Sequence, residues 1–106
     1  MEKYSFYYHH PVKDIFTAGN RVFEKIKESE THFMFKITYP VSGNSYYEIF
    51  EKRLYKNSSV RPSNTLKDGE YYYPIDREFG SWAWCYSDFN YALKRWEEKH
   101  NNTTKI

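Results

Sequence analysis

Few residues of this chain are able to do covalent or acid–base work. Cys85 is its single cysteine, and His9, His10, His32 and His100 are its histidines. A Cys–His pair would make a nucleophile only with an accessible thiol of low pKa beside the imidazole. Cys85 instead stands inside Trp82-Ala83-Trp84-Cys85-Tyr86, an aromatic stretch that predicts a buried structural thiol. Zinc needs three or four converging ligands. The adjacent His9 and His10 would face opposite ways on a strand, and no CxxC or HExxH spacing occurs, so no metal or other cofactor is expected. Asp76 and Glu78 flank Arg77 next to Gly80. Two carboxylates at that spacing are able to share a proton or a cation, but in a polar turn the expected arrangement is a solvated Arg–carboxylate pair. No glycine-rich phosphate cradle is present. The motifs thus point away from an enzyme.

What remains is aromatic chemistry. Twenty-two per cent of the chain is Phe, Trp or Tyr, and twelve residues are tyrosines. Rings bury a large area, but the polar atoms of Tyr and Trp need partners or water. A chain of 106 residues makes one core, and twelve tyrosines exceed what it accommodates. Several are expected at the surface, where Tyr, Trp and Arg act as binding anchors. An AT-rich coding bias toward Tyr, Lys, Asn, Ile and Phe is the competing explanation for the same composition. The candidate contact residues are Tyr71, Tyr72 and Trp82 as rings, with Arg53, Lys56, Arg61 and Arg77 as charges.

Sixteen basic and fourteen acidic residues give a formal charge of +2. That balance is weak for a phosphate-tracking surface and contrary to an acidic DNA mimic. Aromatic strands are nevertheless able to stack unpaired bases. Tyr7, Tyr46, Tyr71 to Tyr73 and Trp82 are platforms of the right kind, with Lys36, Lys52, Arg53, Lys56 and Arg61 to follow phosphates. A single-stranded nucleic-acid binder is therefore the alternative to a protein-binding module. One cysteine, no charged-then-apolar leader and no apolar run of about 20 residues predict a cytoplasmic protein without membrane contact.

The elements that would position these residues follow from periodicity. Phe89, Ala92, Leu93 and Trp96 share one helical face, and Ser87 is the expected N-cap. Trp82, Trp84 and Tyr86 alternate with Ala83 and Cys85 as a strand. Tyr71 to Tyr73 should be extended ahead of Pro74, with Phe79 as an apolar plug in the connection that follows. His32 to Tyr39 alternates as a strand, with Phe33, Phe35, Ile37 and Tyr39 on one face and Met34, Lys36 and Thr38 on the other. Val41-Ser42-Gly43-Asn44 is turn chemistry, and Tyr46 to Tyr55 is the return strand. Its inward set is either Tyr47 and Ile49 or Tyr46, Phe50 and Leu54. Lys3 to His9 reads as a further strand. Asn20 to Ser29 fits a short helix through Val22, Phe23 and Ile26, with a strand carrying Val22, Glu24 and Ile26 on one face as its rival. Lys56 to Glu70 is a long loop of the sort that often carries function. The expected whole is α+β: a mainly antiparallel sheet of three to five strands with one or two helices on one face. Residues 1–100 are read as one domain, and 101–106 as a frayed tail.

The run YPIDREFGSWAWCYSDFNYALKRW, together with the preceding YYEIFEKR strand, resembles small proteins of phages and mobile elements. The likeness lies in a Tyr-Pro, a Phe-Gly, an aromatic strand and an Ala-containing amphipathic helix. Small size, no enzyme motif and a ring-rich surface also resemble inhibitors of host defence, including anti-CRISPR proteins. The resemblance implies a non-enzymatic protein that binds a larger host partner, such as a CRISPR effector or other nucleoprotein, and occludes or locks it.

Overall fold

The computed structural model describes residues 9–56 and 66–101. Five antiparallel strands form one sheet in sequential order: β1 (Ile15–Ala18), β2 (Arg21–Glu28), β3 (His32–Thr38), β4 (Ser45–Glu51) and β5 (Ala83–Tyr86). A single 3-10 turn spans Asp76–Glu78, and α1 (Phe89–Asn101) ends the described chain. The expected α+β class is what the chain adopts.

The segment from Asn20 to Ser29 is strand β2, not a helix. Gly19 (φ +61°) and Asn20 form a two-residue turn of the kind whose twist matches paired strands. It sets Phe16 opposite Phe23 and Ala18 opposite Arg21. Pairing with both β1 and β3 gives this stretch more backbone partners than an isolated helical turn would have. The helical spacing of Val22, Phe23 and Ile26 is divided between the faces. Phe23 lies in the phenylalanine cluster and Ile26 packs against the cluster of Met34, Ile49 and Ala92 on the other face; a register shift between Lys25 and Lys27 accompanies Ile26.

The β3–β4 hairpin forms where the alternation placed it. Ile37 pairs with Tyr46, Phe35 with Glu48 and Phe33 with Phe50. Neither inward set of β4 is inward alone, because the sheet is covered on both faces. Phe50 is buried on one side and Ile49 on the other. The strand ends at Glu51, and Leu54 makes only an isolated bridge to Tyr71.

One face carries Phe16, Phe23, Phe33, Phe35, Ile37 and Phe50. It is covered by irregular chain, with Tyr73 and Trp82 pressed against the rings. The other face carries Met34 and Ile49 and is covered by α1 through Ala92, Leu93 and Trp96. Asp88, not Ser87, caps the helix: its carboxylate accepts from the Tyr91 N–H at 3.0 Å. Arg95 pairs with Glu98 at 2.7 Å. No helix among the described residues is long and apolar enough to cross a membrane.

The aromatic strand is shorter than its alternation suggests. Trp82 lies one residue before β5, and its ring joins Phe50 and Tyr72 in the phenylalanine cluster. Trp84 and Tyr86 occupy the helix-covered face. Cys85 is exposed, contrary to the expected buried thiol, because β5 ends the sheet order.

Candidate functional site

The phenylalanine face is closed by two pieces of chain that belong to no strand, 9–12 and 66–82. Pro11 bridges to Tyr72 and Leu54 to Tyr71. The Tyr72 N–H donates to the Arg53 carbonyl at 3.2 Å, Tyr73 N–H to His10 at 2.9 Å, and Val12 N–H to Tyr71 at 3.1 Å. Alternation through this extended stretch sorts its tyrosines. Tyr73 points into the core, while Tyr71 is 37% exposed and Tyr72 half-buried. Pro74, which enforces the extended form, is buried with Ile75.

At the margin of this cover, rings and cations interleave. The Arg53 guanidinium lies 4.6 Å from the Trp82 ring centre. Tyr72 packs against Trp82 at 5.5 Å and against His9 at 4.5 Å. His9 meets the Glu78 carboxylate at 2.8 Å, and the same oxygen accepts from the Ile75 N–H at 2.9 Å, which fixes the 3-10 turn. The Lys52 ammonium stands 4.9 Å from the Phe33 ring centre and 5.2 Å from that of Tyr71. Such placements attract through the ring quadrupole.

A groove of 280 Å³ opens beside Tyr71, between Val12, Asp14, Lys25, Glu28, Phe33 and Glu70. Its lining is net acidic, with Asp14, Glu28 and Glu70 against Lys25, and its cations are all paired. Lys25 pairs with Asp14 at 2.8 Å and Glu28 at 2.7 Å, and Lys52 with Glu28 at 2.7 Å. Hydrogen bonds from Lys25 and then Lys52 hold the Glu28 carboxyl below its usual range. Bonds to Asp14 and then Glu28 raise Lys25. Arg53 pairs with Glu51 at 3.0 Å.

Of the residues expected to make contacts, Arg53, Tyr71, Tyr72 and Trp82 are brought to this one region. Trp82 is 3% exposed. It is not a free anchor but the buried floor on which Arg53 and Tyr72 rest, since the chain leaves the strand path just there. Lys56 is exposed beyond Tyr55, and Arg77 is exposed on the 3-10 turn. Glu78 meets His9 rather than the expected Arg77. Arg61 lies outside the described residues, as do Tyr7 and all of the expected first strand except His9, which is not in a strand. Sequence reasoning missed Lys25, Glu28 and Asp14. The signal for Asp14 and Lys25 was the Gly19–Asn20 turn, which brings them opposite each other once it is read as a hairpin.

Beneath the cover, Glu48 is buried at 7% exposure and accepts a hydrogen bond from the Tyr73 hydroxyl. Burial pushes its carboxyl up to about 7, against the pull of Tyr73 and Arg21. His10 stacks on Tyr73, and burial lowers its pKa to about 4.

The groups first considered for catalysis are dispersed. Burial and then Glu48 push the Cys85 thiol up to about 11, which opposes thiolate formation although the residue as a whole is exposed. His9 and His10 lie in the cover, and His32 and His100 lie together near the end of α1. The closest approach to a nucleophile–base geometry is one that the spacing did not suggest. The Ser29 Oγ lies 2.6 Å from His100 Nε2, whose Nδ1 faces the Trp96 carbonyl at 2.6 Å. The Ser29 Oγ also accepts from the N–H groups of Thr31 and His32. Its lone pairs are thereby engaged, and the arrangement locks the β2–β3 turn to α1. Among the described residues no three His, Cys, Asp or Glu side chains converge to hold a metal.

Comparison of the chain with protein-family models, with curated proteins and with solved structures finds no match.

Proposed function

We propose that this chain is a non-enzymatic binding protein that acts by occluding or locking a larger protein partner through the surface built on Arg53, Tyr71, Tyr72 and Trp82. The observation that carries this reading is the charge state of that surface. Lys25, Lys52 and Arg53 are each matched to a carboxylate while stacking against or beside rings. A polyphosphate partner calls for unmatched cations, because counterion release supplies its affinity. A mixed, ring-rich surface whose cations are already paired suits the alternating charges and apolar groups of a protein. Trp82 as a rigid floor limits the side-chain entropy lost when Arg53 and Tyr72 are ordered by a partner.

The likeness of the Tyr-Pro, Phe-Gly, aromatic strand and helix run to small proteins of phages and mobile elements extends the proposal. The partner is then a host defence effector, such as a CRISPR nucleoprotein, in the host cytoplasm. Binding of single-stranded nucleic acid is the second reading, favoured by the half-buried rings of Tyr46 and Tyr72 on one face of the sheet.

The test is capture of partners from host extract with and without nuclease, using the wild type and a Tyr71→Ala/Tyr72→Ala variant. A nuclease-resistant complex lost in the variant supports the protein-binding reading. Capture that vanishes with nuclease, together with direct binding to an oligonucleotide that weakens steeply with salt, overturns it in favour of the second.

A further inference from the structure

The cover that carries Tyr71 and Tyr72 meets the sheet at a buried polar contact whose acceptor is a titratable carboxyl group. Glu48 projects from β4 among Phe35, Phe50 and Tyr73, and its Oε1 accepts from the Tyr73 hydroxyl. Among the described residues no strand ladder holds this stretch. Its backbone is tied by the isolated bridges at Tyr71 and Tyr72 and by single hydrogen bonds to Arg53, His10 and Val12. A carboxyl group in such a place is tolerated when neutral. When ionised it must be paired, rehydrated or both.

The charged and titratable groups facing Glu48 come from every side. Arg21 approaches from β2, where it donates to the Tyr46 hydroxyl. Tyr46 shares β4, Cys85 stands opposite on β5, Asp76 acts from the 3-10 turn, and His10 stacks behind Tyr73. Arg21 and the Tyr73 hydroxyl favour the carboxylate; Asp76 and the burial itself oppose it, and burial dominates. The ionised group gains most by admitting water, and the layer least held by backbone pairing is the 71–75 stretch.

We propose that Glu48 and Tyr73 form a proton-operated latch: protonated Glu48 seats the 71–75 segment on the sheet, and loss of the proton lets that segment open while the strands stay folded. The latch concerns the free protein and stands whether or not the Tyr71–Tyr72 surface proves to be the binding surface. If it is that surface, the latch makes its presentation pH-dependent.

Amide hydrogen exchange between pH 6.5 and 8.5, corrected for intrinsic rates, tests it. Throughout that interval His10, with a pKa near 4, is neutral. The Tyr72, Tyr73 and Val12 amides are expected to be less protected than those of β3, to exchange independently of low denaturant, and to lose protection about fourfold across the interval. Glu48→Gln, which keeps a neutral acceptor for the hydroxyl, should hold that protection constant. Tyr73→Phe, which removes the bond favouring the carboxylate, should move the titration to higher pH. Exchange of the segment only with β3, a wild-type protection that does not change with pH, or a pH slope that survives in Glu48→Gln each overturns the latch. Failure of the partner-capture experiment leaves these readouts untouched, so the two proposals fall separately.

Discussion

The two faces of the sheet are closed by different means. On one, five phenylalanines (Phe16, Phe23, Phe33, Phe35 and Phe50) are sealed by irregular chain whose backbone is tied at single points. On the other, Met34 and Ile49 lie under a regular helix through Ala92, Leu93 and Trp96. That helix packs on β4 and β5, so Ile15, Thr17 and Glu24 on the β1–β2 side remain exposed. The phenylalanine face has the larger apolar content and the less regular cover. A helix satisfies its own backbone and docks as a unit. An extended segment relies on neighbours for every backbone group, which leaves room for charged side chains between its contacts. That is where the Arg53–Tyr72–Trp82 surface and the Glu48–Tyr73 contact are found.

This contrast can be broken directly. Phe35→Ala, at a fully buried position that touches Phe16, Phe50 and Tyr73, should cost about 4 kcal/mol in denaturant unfolding. Trp96→Ala on the helix-covered face removes a half-buried ring and should cost about 2 kcal/mol. Equal losses would mean that the two faces contribute alike and would remove the distinction.

Glu48 and His10 sharpen it through pH. The Glu48 carboxyl is raised from 4.5 to about 7 in the fold, so the folded state holds the proton more tightly between those values. Its contribution to stability is full below pH 4.5 and is lost as pH rises through about 7. His10 is lowered from 6.5 to about 4, so the unfolded state holds that proton more tightly, and stability is lost as pH falls from 6.5 to 4. The two slopes oppose each other where they overlap. Glu48→Gln should therefore be more stable than wild type at pH 8, by on the order of 2 kcal/mol. It should also reveal the His10 limb as a stability that rises steadily from pH 4 to 6.5. Thermal unfolding across that range gives both results.

Smaller effects mark the edges of each cover. Asp88→Ala removes the helix cap and should cost about 1 kcal/mol, read as a lower unfolding midpoint, whereas Ser87→Ala should be nearly silent. Arg53→Ala, at an exposed ion pair, should change stability by less than about 0.5 kcal/mol. The same variant should weaken partner capture measurably. A large stability loss there would make Arg53 part of the structure rather than of the surface.

Much of the fold was legible because periodicity is local. The β3–β4 hairpin follows from the alternation of Phe33, Phe35 and Ile37 and the turn before Asn44. The helix follows from Phe89, Ala92, Leu93 and Trp96. Where local patterns compete, the outcome depended on partners. Val22, Phe23 and Ile26 fit a helix until Phe16 and Ile37 are available to pair beside Phe23. Alternation set Trp82 on one face with Trp84 and Tyr86, but its ring joins the opposite, phenylalanine face, because the chain turns out of the strand at that residue.

The sequence by itself determined that this would be a small ring-rich α+β domain, since alternation, a helical stripe and turn residues are properties of neighbouring positions. It also determined that rings would be left at the surface: among the nine described tyrosines only Tyr73 is buried. Tertiary structure alone decided which ring meets which charge. Arg53 over Trp82, Lys52 over Phe33 and Tyr71, and Glu48 under Tyr73 join residues from 19 to 29 positions apart. Contacts of that span depend on how strands register and how the cover lies across them, and neither is encoded in the spacing of adjacent residues.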